Sequence, residues 1–297
     1  GTVHQHSADV ICQAAEARGM RLIAGKVLMD KNCPPALQDT AESAYTDSKA
    51  LIERWHGKGR LGYAITPRFA ITSSEQQLAA AGRLAREYPE VWVHTHLAEN
   101  TAEVEQIAQQ FPDSRSYLDV YDQFGLLRER SVFAHCLHMD EKDRQCMAAK
   151  GGAAAFCPTS NLFLGSGLFN LEAMRAAEVR VGMGTDVGGG TSLSMLRTAS
   201  EAYKVLHLQD QALPPMRALY LATLGAAEAL YLEDKIGNFA TGKEADFVVL
   251  DPAGSSLCKR RTDVASSIEE SLFAITILGD DRNIAATYVA GTPVTTK

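Results

Sequence analysis

Short apolar runs alternate along this chain with amphipathic stretches, at the spacing of one strand plus one crossover helix. That rhythm constrains the fold more than any single residue. Repeated strand–helix alternation requires a parallel sheet, either open or closed into a barrel. The apolar runs at 21–29, 61–66, 91–96, 131–136, 153–157 and 179–184 are each ended by Gly, Pro or polar residues and read as strands. Helical periodicity fills the intervals at 8–18, 40–56, 75–88, 102–111, 141–150 and 171–177. Ser73 or Ser74, with Gln76 or Gln77 three residues on, predicts a capping box ahead of Leu78.

The rhythm changes after the last of these strands. Residues 192–208 and 215–232 read as two consecutive helices. Gly237 and Gly242 then punctuate into a β run at 245–250, and a last β pair at 286–290 and 293–296 turns at Gly291. A boundary near 235 is expected, dividing a (β/α) barrel over 1–235 from a small all-β appendage, a partial β-sandwich, over 236–297. The 297 residues are ample for a sizeable core, and 46% hydrophobic with 22% charged residues is ordinary for a globular enzyme. Lys and Arg number 29 against 36 Asp and Glu, a net charge of −7. An acidic balance argues against a dedicated nucleic-acid binder. The apolar runs are too short for a membrane helix. Six cysteines without a C-x-x-C pair read as reduced and intracellular, with Cys136 and Cys157 as buried thiols. Gly188-Gly189-Gly190 has no Gly-Lys-Ser/Thr after it and is no phosphate loop.

The chemistry sits where strands end. Alternation in Val91-Trp92-Val93-His94-Thr95-His96 puts His94 and His96 on one face, and Glu99 follows at His-x-x-Glu spacing. The next strand ends on His135, the one after on Ser160 and Asn161, and the last on Asp186. Four consecutive strands thus deliver His/Glu, His, Ser/Asn and Asp to one rim, the face on which barrel enzymes gather catalytic groups. His and carboxylate ligands beside a further Glu suit a hydrolytic metal site. The metal brings its water's pKa towards neutrality and the carboxylate moves the proton. Arg68-Phe69, just past the strand before, suits a planar ligand carrying a carbonyl. Lys26 and Asp30 read as structural; His56, His138 and His207 read as solvent-facing.

Thr66-Pro67-Arg68-Phe69, Val93-His94-Thr95-His96-Leu97-Ala98-Glu99-Asn100, Phe133-Ala134-His135-Cys136 and Cys157-Pro158-Thr159-Ser160-Asn161-Leu162 resemble the guanine deaminases of the metal-dependent amidohydrolase superfamily. So do Leu164-Gly165-Ser166-Gly167, Gly182-Met183-Gly184-Thr185-Asp186 and Gly242-Lys243-Glu244-Ala245-Asp246, in the same order over nearly the whole chain. The resemblance implies a (β/α)8 TIM-type barrel, a single zinc per subunit (iron being the other metal such ligands accept), and a cytoplasmic homodimer acting in guanine catabolism. It implies that His96 and Asp186 ligate the metal and that Glu99, His135 and Asp186 serve the chemistry. Arg68, Phe69, His96, Leu97, Ala98, Glu99 and Asp186 would contact guanine, with Arg68 on the 6-oxo group. The family's first strand carries a His-x-His ligand pair that nothing here matches in context. His4-Gln5-His6 has the spacing but follows only Gly1-Thr2-Val3. Residues 1–4 look like the end of the barrel's second strand, so the first strand and its ligands are expected to be absent. A chain without them is expected to bind little metal and to be inactive alone. Other readings are an amidohydrolase of another aminated heterocycle, such as cytosine or 8-oxoguanine, and a catalytically silent truncated chain.

Overall fold

A computed structural model describes residues 1–294. The chain divides into two compact units, one over Gly1–Ala153 and one from Ala154 onward.

The first unit alternates strand and helix, as the apolar rhythm demands. In order it holds α1 (Gln5–Ala17), β1 (Leu22–Ala24), β2 (Val27–Leu28), α2 (Ala41–Trp55), β3 (Leu61–Pro67), α3 (Glu75–Glu87), β4 (Trp92–Leu97), α4 (Thr101–Gln110), α5 (Tyr117–Gln123), β5 (Ser131–His135) and α6 (Glu141–Ala149). The order β1-β3-β4-β5 is parallel, with β2 also on β3. Every residue of β3 is buried, the pattern of a parallel strand covered on both faces. Registers such as Val27↔Thr66, Ala64↔Trp92 and Leu97↔His135 fix which residues emerge together at the strand ends.

The run at 21–29 is broken into two strands, and Gly25 is the reason. A Cβ there would lie 1.7 Å from the Ala64 carbonyl oxygen, so the chain approaches β3 too closely for any side chain. The Lys26 amide then turns to the Tyr63 hydroxyl (3.2 Å). Thr2 makes an isolated parallel bridge to Lys26, a strand-like placement of the first residues. Lys26 and Asp30 are structural: the buried Lys26 ammonium meets Asp39 at 2.6 Å, and the Asp30 carboxylate accepts from the Ser74 amide (2.7 Å) and hydroxyl (2.5 Å). Ser74 caps α3 through the Gln77 amide, but the Gln77 side chain accepts from Ser73 rather than closing the box on Ser74. Reciprocal boxes do form at Thr40/Ser43 and Asn100/Glu103, and such a cap stabilises a helix start by about 1 kcal/mol.

The second unit holds β6 (Ala153–Phe156, opening at the division), α7 (Pro158–Leu164), α8 (Leu171–Ala176), β7 (Arg180–Met183), α9 (Met195–His207), α10 (Pro215–Ala222), α11 (Leu224–Ala229), β8 (Phe247–Leu250), α12 (Ser256–Thr262), α13 (Ile268–Leu278), β9 (Ile284–Val289) and β10 (Thr292–Pro293). Strands β6 and β7 are neighbours, and the Phe156 and Phe169 rings stack at 4.5 Å beneath them. The helix expected over 215–232 is broken at Thr223, whose backbone (φ −128, ψ −95) is not helical.

Strands β8, β9 and β10 form an antiparallel sheet. The segment between β8 and β9 is helical rather than β, and α13 packs on α9 and α10. Its sequence, Ile268-Glu-Glu-Ser-Leu-Phe-Ala-Ile-Thr-Ile-Leu278, mixes β-branched and helix-forming residues, so periodicity alone does not separate strand from helix. The Ser267 cap, whose side chain accepts from the Glu270 amide, settles the helix start. The β pair at 293–296 is displaced to Thr292–Pro293, and Thr295 and Thr296 lie outside the described residues. Among the described residues no helix is long and apolar enough to cross a membrane.

Candidate active site

In the first unit, three strand ends bring Arg68, Phe69, His96, Glu99 and His135 together. The junction is a single carbonyl. The Arg68 carbonyl accepts from the His96 amide at 3.2 Å and from His96 Nδ1 at 2.6 Å, with Thr95 Oγ1 3.3 Å away. A carbonyl only accepts, so Nδ1 carries a proton, which in the neutral imidazole leaves the lone pair on Nε2. The His96 ring is stacked on His135 (centroids 5.3 Å apart) and edge-on to Phe69 (5.6 Å). The exposed Arg68 guanidinium lies 5.1 Å from the centre of the Phe69 ring.

Beyond His96 the backbone turns sharply. Ala98 has φ +48, and its carbonyl accepts from the Leu137 and His138 amides, both at 3.1 Å. His135 (φ +75) and Cys136 (φ +54) are also left-handed, while the Cys136 amide donates to the Leu97 carbonyl at 2.9 Å. Such conformations cost about 1–3 kcal/mol each and persist where surrounding bonds over-determine them. Here they aim Glu99 and His135 at each other: Glu99 Oε2 stands 3.7 Å from His135 Nε2. His135 is buried, whereas Glu99 keeps a partly open carboxylate. Behind it, Glu103 Oε2 accepts from the Glu99 amide at 3.0 Å. Burial raises the Glu103 carboxyl above the usual carboxylate range. His94, on the same face of β4, is held down to about 3 by removal from water, helped by the Gly1 ammonium, His96 and His135. It is therefore neutral at ordinary pH.

In the second unit, Asp186 lies past the end of β7 with φ +46, half-buried. Two of the glycines that follow it, Gly189 and Gly190, allow a close approach of backbone. A Cβ at Gly190 would meet the Thr185 carbonyl at 1.9 Å, and one at Gly189 would crowd Ser160 Oγ (2.6 Å) and Asp186 Oδ2 (3.2 Å). Ser160 and Asn161 are buried in α7, which starts on Pro158.

Several histidines are placed outside this chemistry. His4 stands at the N-cap position of α1 without a side-chain capping bond and His6 lies in its first turn, both exposed. His138 and His207 are exposed, as expected. His56 is not solvent-facing: its Nδ1 accepts from the Tyr63 amide at 3.2 Å and its ring meets Trp92 edge-on. Its position at the end of α2 hid that tertiary contact from the sequence.

His96 fits a metal ligand by its own local structure, since a ligating imidazole characteristically gives its other N–H to a carbonyl or carboxylate. Asp186 fits by donor chemistry. Among the described residues no group of three or more His, Cys, Asp or Glu side chains is close enough together to hold a metal ion. The fit is thus of individual donors.

The amidohydrolase family model matches residues 1–294. The chain belongs to the amidohydrolase family. Its fold is accordingly the (β/α) barrel type of these enzymes, with a small antiparallel sheet towards the C-terminus. Guanine deaminase of Escherichia coli is 55% identical over 291 residues, covering 98% of this chain and 66% of that protein. Its solved structure superposes with a TM-score of 0.99 over 100% of this chain and 69% of the other. A guanine deaminase from C. acetobutylicum with guanine bound in its active site is 27% identical, with a TM-score of 0.91, covering 99% of this chain and 70% of the other. An adenosine deaminase from Xanthomonas campestris with bound zinc is 26% identical, with a TM-score of 0.83, covering 96% and 63%. The chain spans about two thirds of the length of the curated relatives it matches, 66% and 65% for the first two.

Proposed function

We propose that this chain carries the catalytic machinery of a guanine deaminase, converting guanine and water to xanthine and ammonia. The observation that carries this reading is the Arg68 carbonyl, which holds the imidazole of His96 where it stacks on His135 (centroids 5.3 Å apart), the partner of Glu99. Similarity to guanine deaminases over almost the whole chain supports the substrate.

In this reading His96 and Asp186 hold a zinc ion, one per subunit, iron being the other metal these donors suit. When bound, such a metal supplies a nucleophilic water near neutral pH and stabilises the oxygen charge that develops. Asp186 also serves the chemistry and contacts guanine, as the resemblance implies. His135 orients the attacking water. Glu99 takes a proton from that water as the C2–O bond forms and passes it to the ring nitrogen. It then carries the second proton to the amine, the C2–N bond breaks and ammonia leaves. Arg68 donates to the 6-oxo group, Phe69 flanks the ring, and Leu97 and Ala98 line the base beside His96. An Arg donor facing adenine's amino group would be left without an acceptor, so this contact separates guanine from adenine.

The barrel part is placed at 1–235 and the C-terminal part at 236–297. The activity is assigned to guanine catabolism in a cytoplasmic homodimer, as the resemblance implies. The comparisons lend no support to the expectation that the chain is inactive alone, so the test is made on the chain as it stands. With zinc supplied, kcat/KM on guanine should exceed that on cytosine, adenine and 8-oxoguanine. Guanine turnover no better than cytosine turnover would overturn the substrate assignment.

A further inference from the structure

A buried tyrosine outside the chemistry described above ties two parts of it together. Tyr121 lies on α5 with its side chain fully buried, stacked near Tyr117 and packed on Phe133. Its hydroxyl donates to the His96 carbonyl at 2.9 Å and accepts from the Ala70 amide at 3.0 Å. Thr95 Oγ1 stands 3.0 Å from the same hydroxyl, so its one proton is shared between Tyr121 and the Arg68 carbonyl. A phenol has one proton and two lone pairs, and all three are engaged here. Two come from the strand end that carries His96, and one from the segment that carries Arg68 and Phe69.

We propose that Tyr121 is a positioning residue that locks residues 68–70 to the end of β4, so that the Arg68 carbonyl stays on His96 Nδ1 and Nε2 keeps its lone pair. The proposal rests on the deaminase reading for the purpose of that lone pair, but its geometry stands without it. Tyr121 is fully buried and its hydroxyl is taken up by the protein itself. It acts through two backbones, which is why a conservative loss of one oxygen should be felt at an imidazole.

The test uses the full chain and Tyr121→Phe, which keeps the ring and its packing. Nitrogen-15 NMR reads the tautomer of His96 without metal or substrate, and competition with a chelator reads zinc affinity. The Nδ1–H form should lose its dominance in Tyr121→Phe, and zinc affinity should fall about 10–100-fold, the range typical of such supporting partners. An unchanged His96 tautomer with zinc affinity within about twofold of wild type would overturn the proposal. Val120→Ala, a packing loss at a buried position of the same helix, should leave both readouts unchanged. An equal loss there would mean a loosened helix rather than a lock, and would also overturn it. Should Tyr121→Phe fail to fold, Thr95→Val gives the same readouts, with a smaller shift expected in the same direction and no shift counting against. Failure of the wild-type chain to turn over guanine would sink the deaminase reading, while the tautomer measurement still decides the role of Tyr121.

Discussion

The two units place their polar residues by different means. In the first, strand ends carry His96, Glu99 and His135, and hydrogen bonds between side chains and backbone hold the turns: His96 to the Arg68 carbonyl, the Glu99 amide to Glu103, Tyr121 to the His96 carbonyl and the Ala70 amide to Tyr121. In the second, Asp186 is held by the absence of side chains, with Gly189 and Gly190 folded onto Ser160 and Thr185. A site built by bonds can be weakened one bond at a time. A site built by close backbone approach yields all at once.

The largest effect expected falls on the proton carrier of the first unit. Glu99→Gln should lower kcat by about 10²–10⁴-fold, the span of general acid–base catalysis, while zinc content stays that of wild type. Loss of zinc in that variant, measured by metal analysis, would make Glu99 a ligand instead. Gly190→Ala tests the second unit. Its methyl would sit 1.9 Å from the Thr185 carbonyl, so Asp186 must shift, and a displacement near 1 Å costs about 10² in turnover. Turnover within twofold of wild type would remove the contrast between the units. Arg68→Met should raise the guanine KM about tenfold or more and narrow the preference over adenine, the loss expected for a charge-assisted hydrogen bond. An unchanged guanine-to-adenine ratio in steady-state kinetics would release Arg68 from recognition.

The smallest effect sharpens the first unit's bonding. Burial lifts Glu103 above its unfolded value, so the folded chain holds that proton more tightly. Glu103 therefore contributes stability at low pH that is lost as pH rises from about 4.5 through the folded value. Glu103→Gln, which can still accept from the Glu99 amide, should lack that decline. Melting temperatures of both forms should run in parallel below about pH 4.5, and wild type should fall relative to Glu103→Gln as pH rises above it; curves parallel throughout would show that the carboxyl is not strained by burial.

The strand ends were legible because each apolar run closes on a polar motif, and β3, β4 and β5 fall within a residue or two of their expected bounds. The helices capped by Thr40, Ser74, Asn100 and Asp140 were equally plain, whereas Ser116, Ser255 and Ser267 cap helices that the apolar rhythm did not predict. The support behind the site was not. Tyr117–Gln123 is a short helix whose residues are mostly buried, with no polar face long enough to set a period. Pro158–Leu164 was masked by its position at a strand end, where a proline starts rather than stops a helix. The break at Gly25 and the inward turn of His56 depend on neighbours distant in sequence, Ala64 in one case and Trp92 in the other.

Gly82 lies buried in α3, and a methyl there would come 2.0 Å from the carbonyl of Phe124, the residue that ends α5. Judged by helix propensity alone, Gly82→Ala is an improvement of about 1 kcal/mol. A programme that hardens this protein by replacing helical glycines would choose it early. The added methyl would push α5 outward, and Tyr121 with it, so tolerance to heat and precision at the rim would be traded at a position that touches neither.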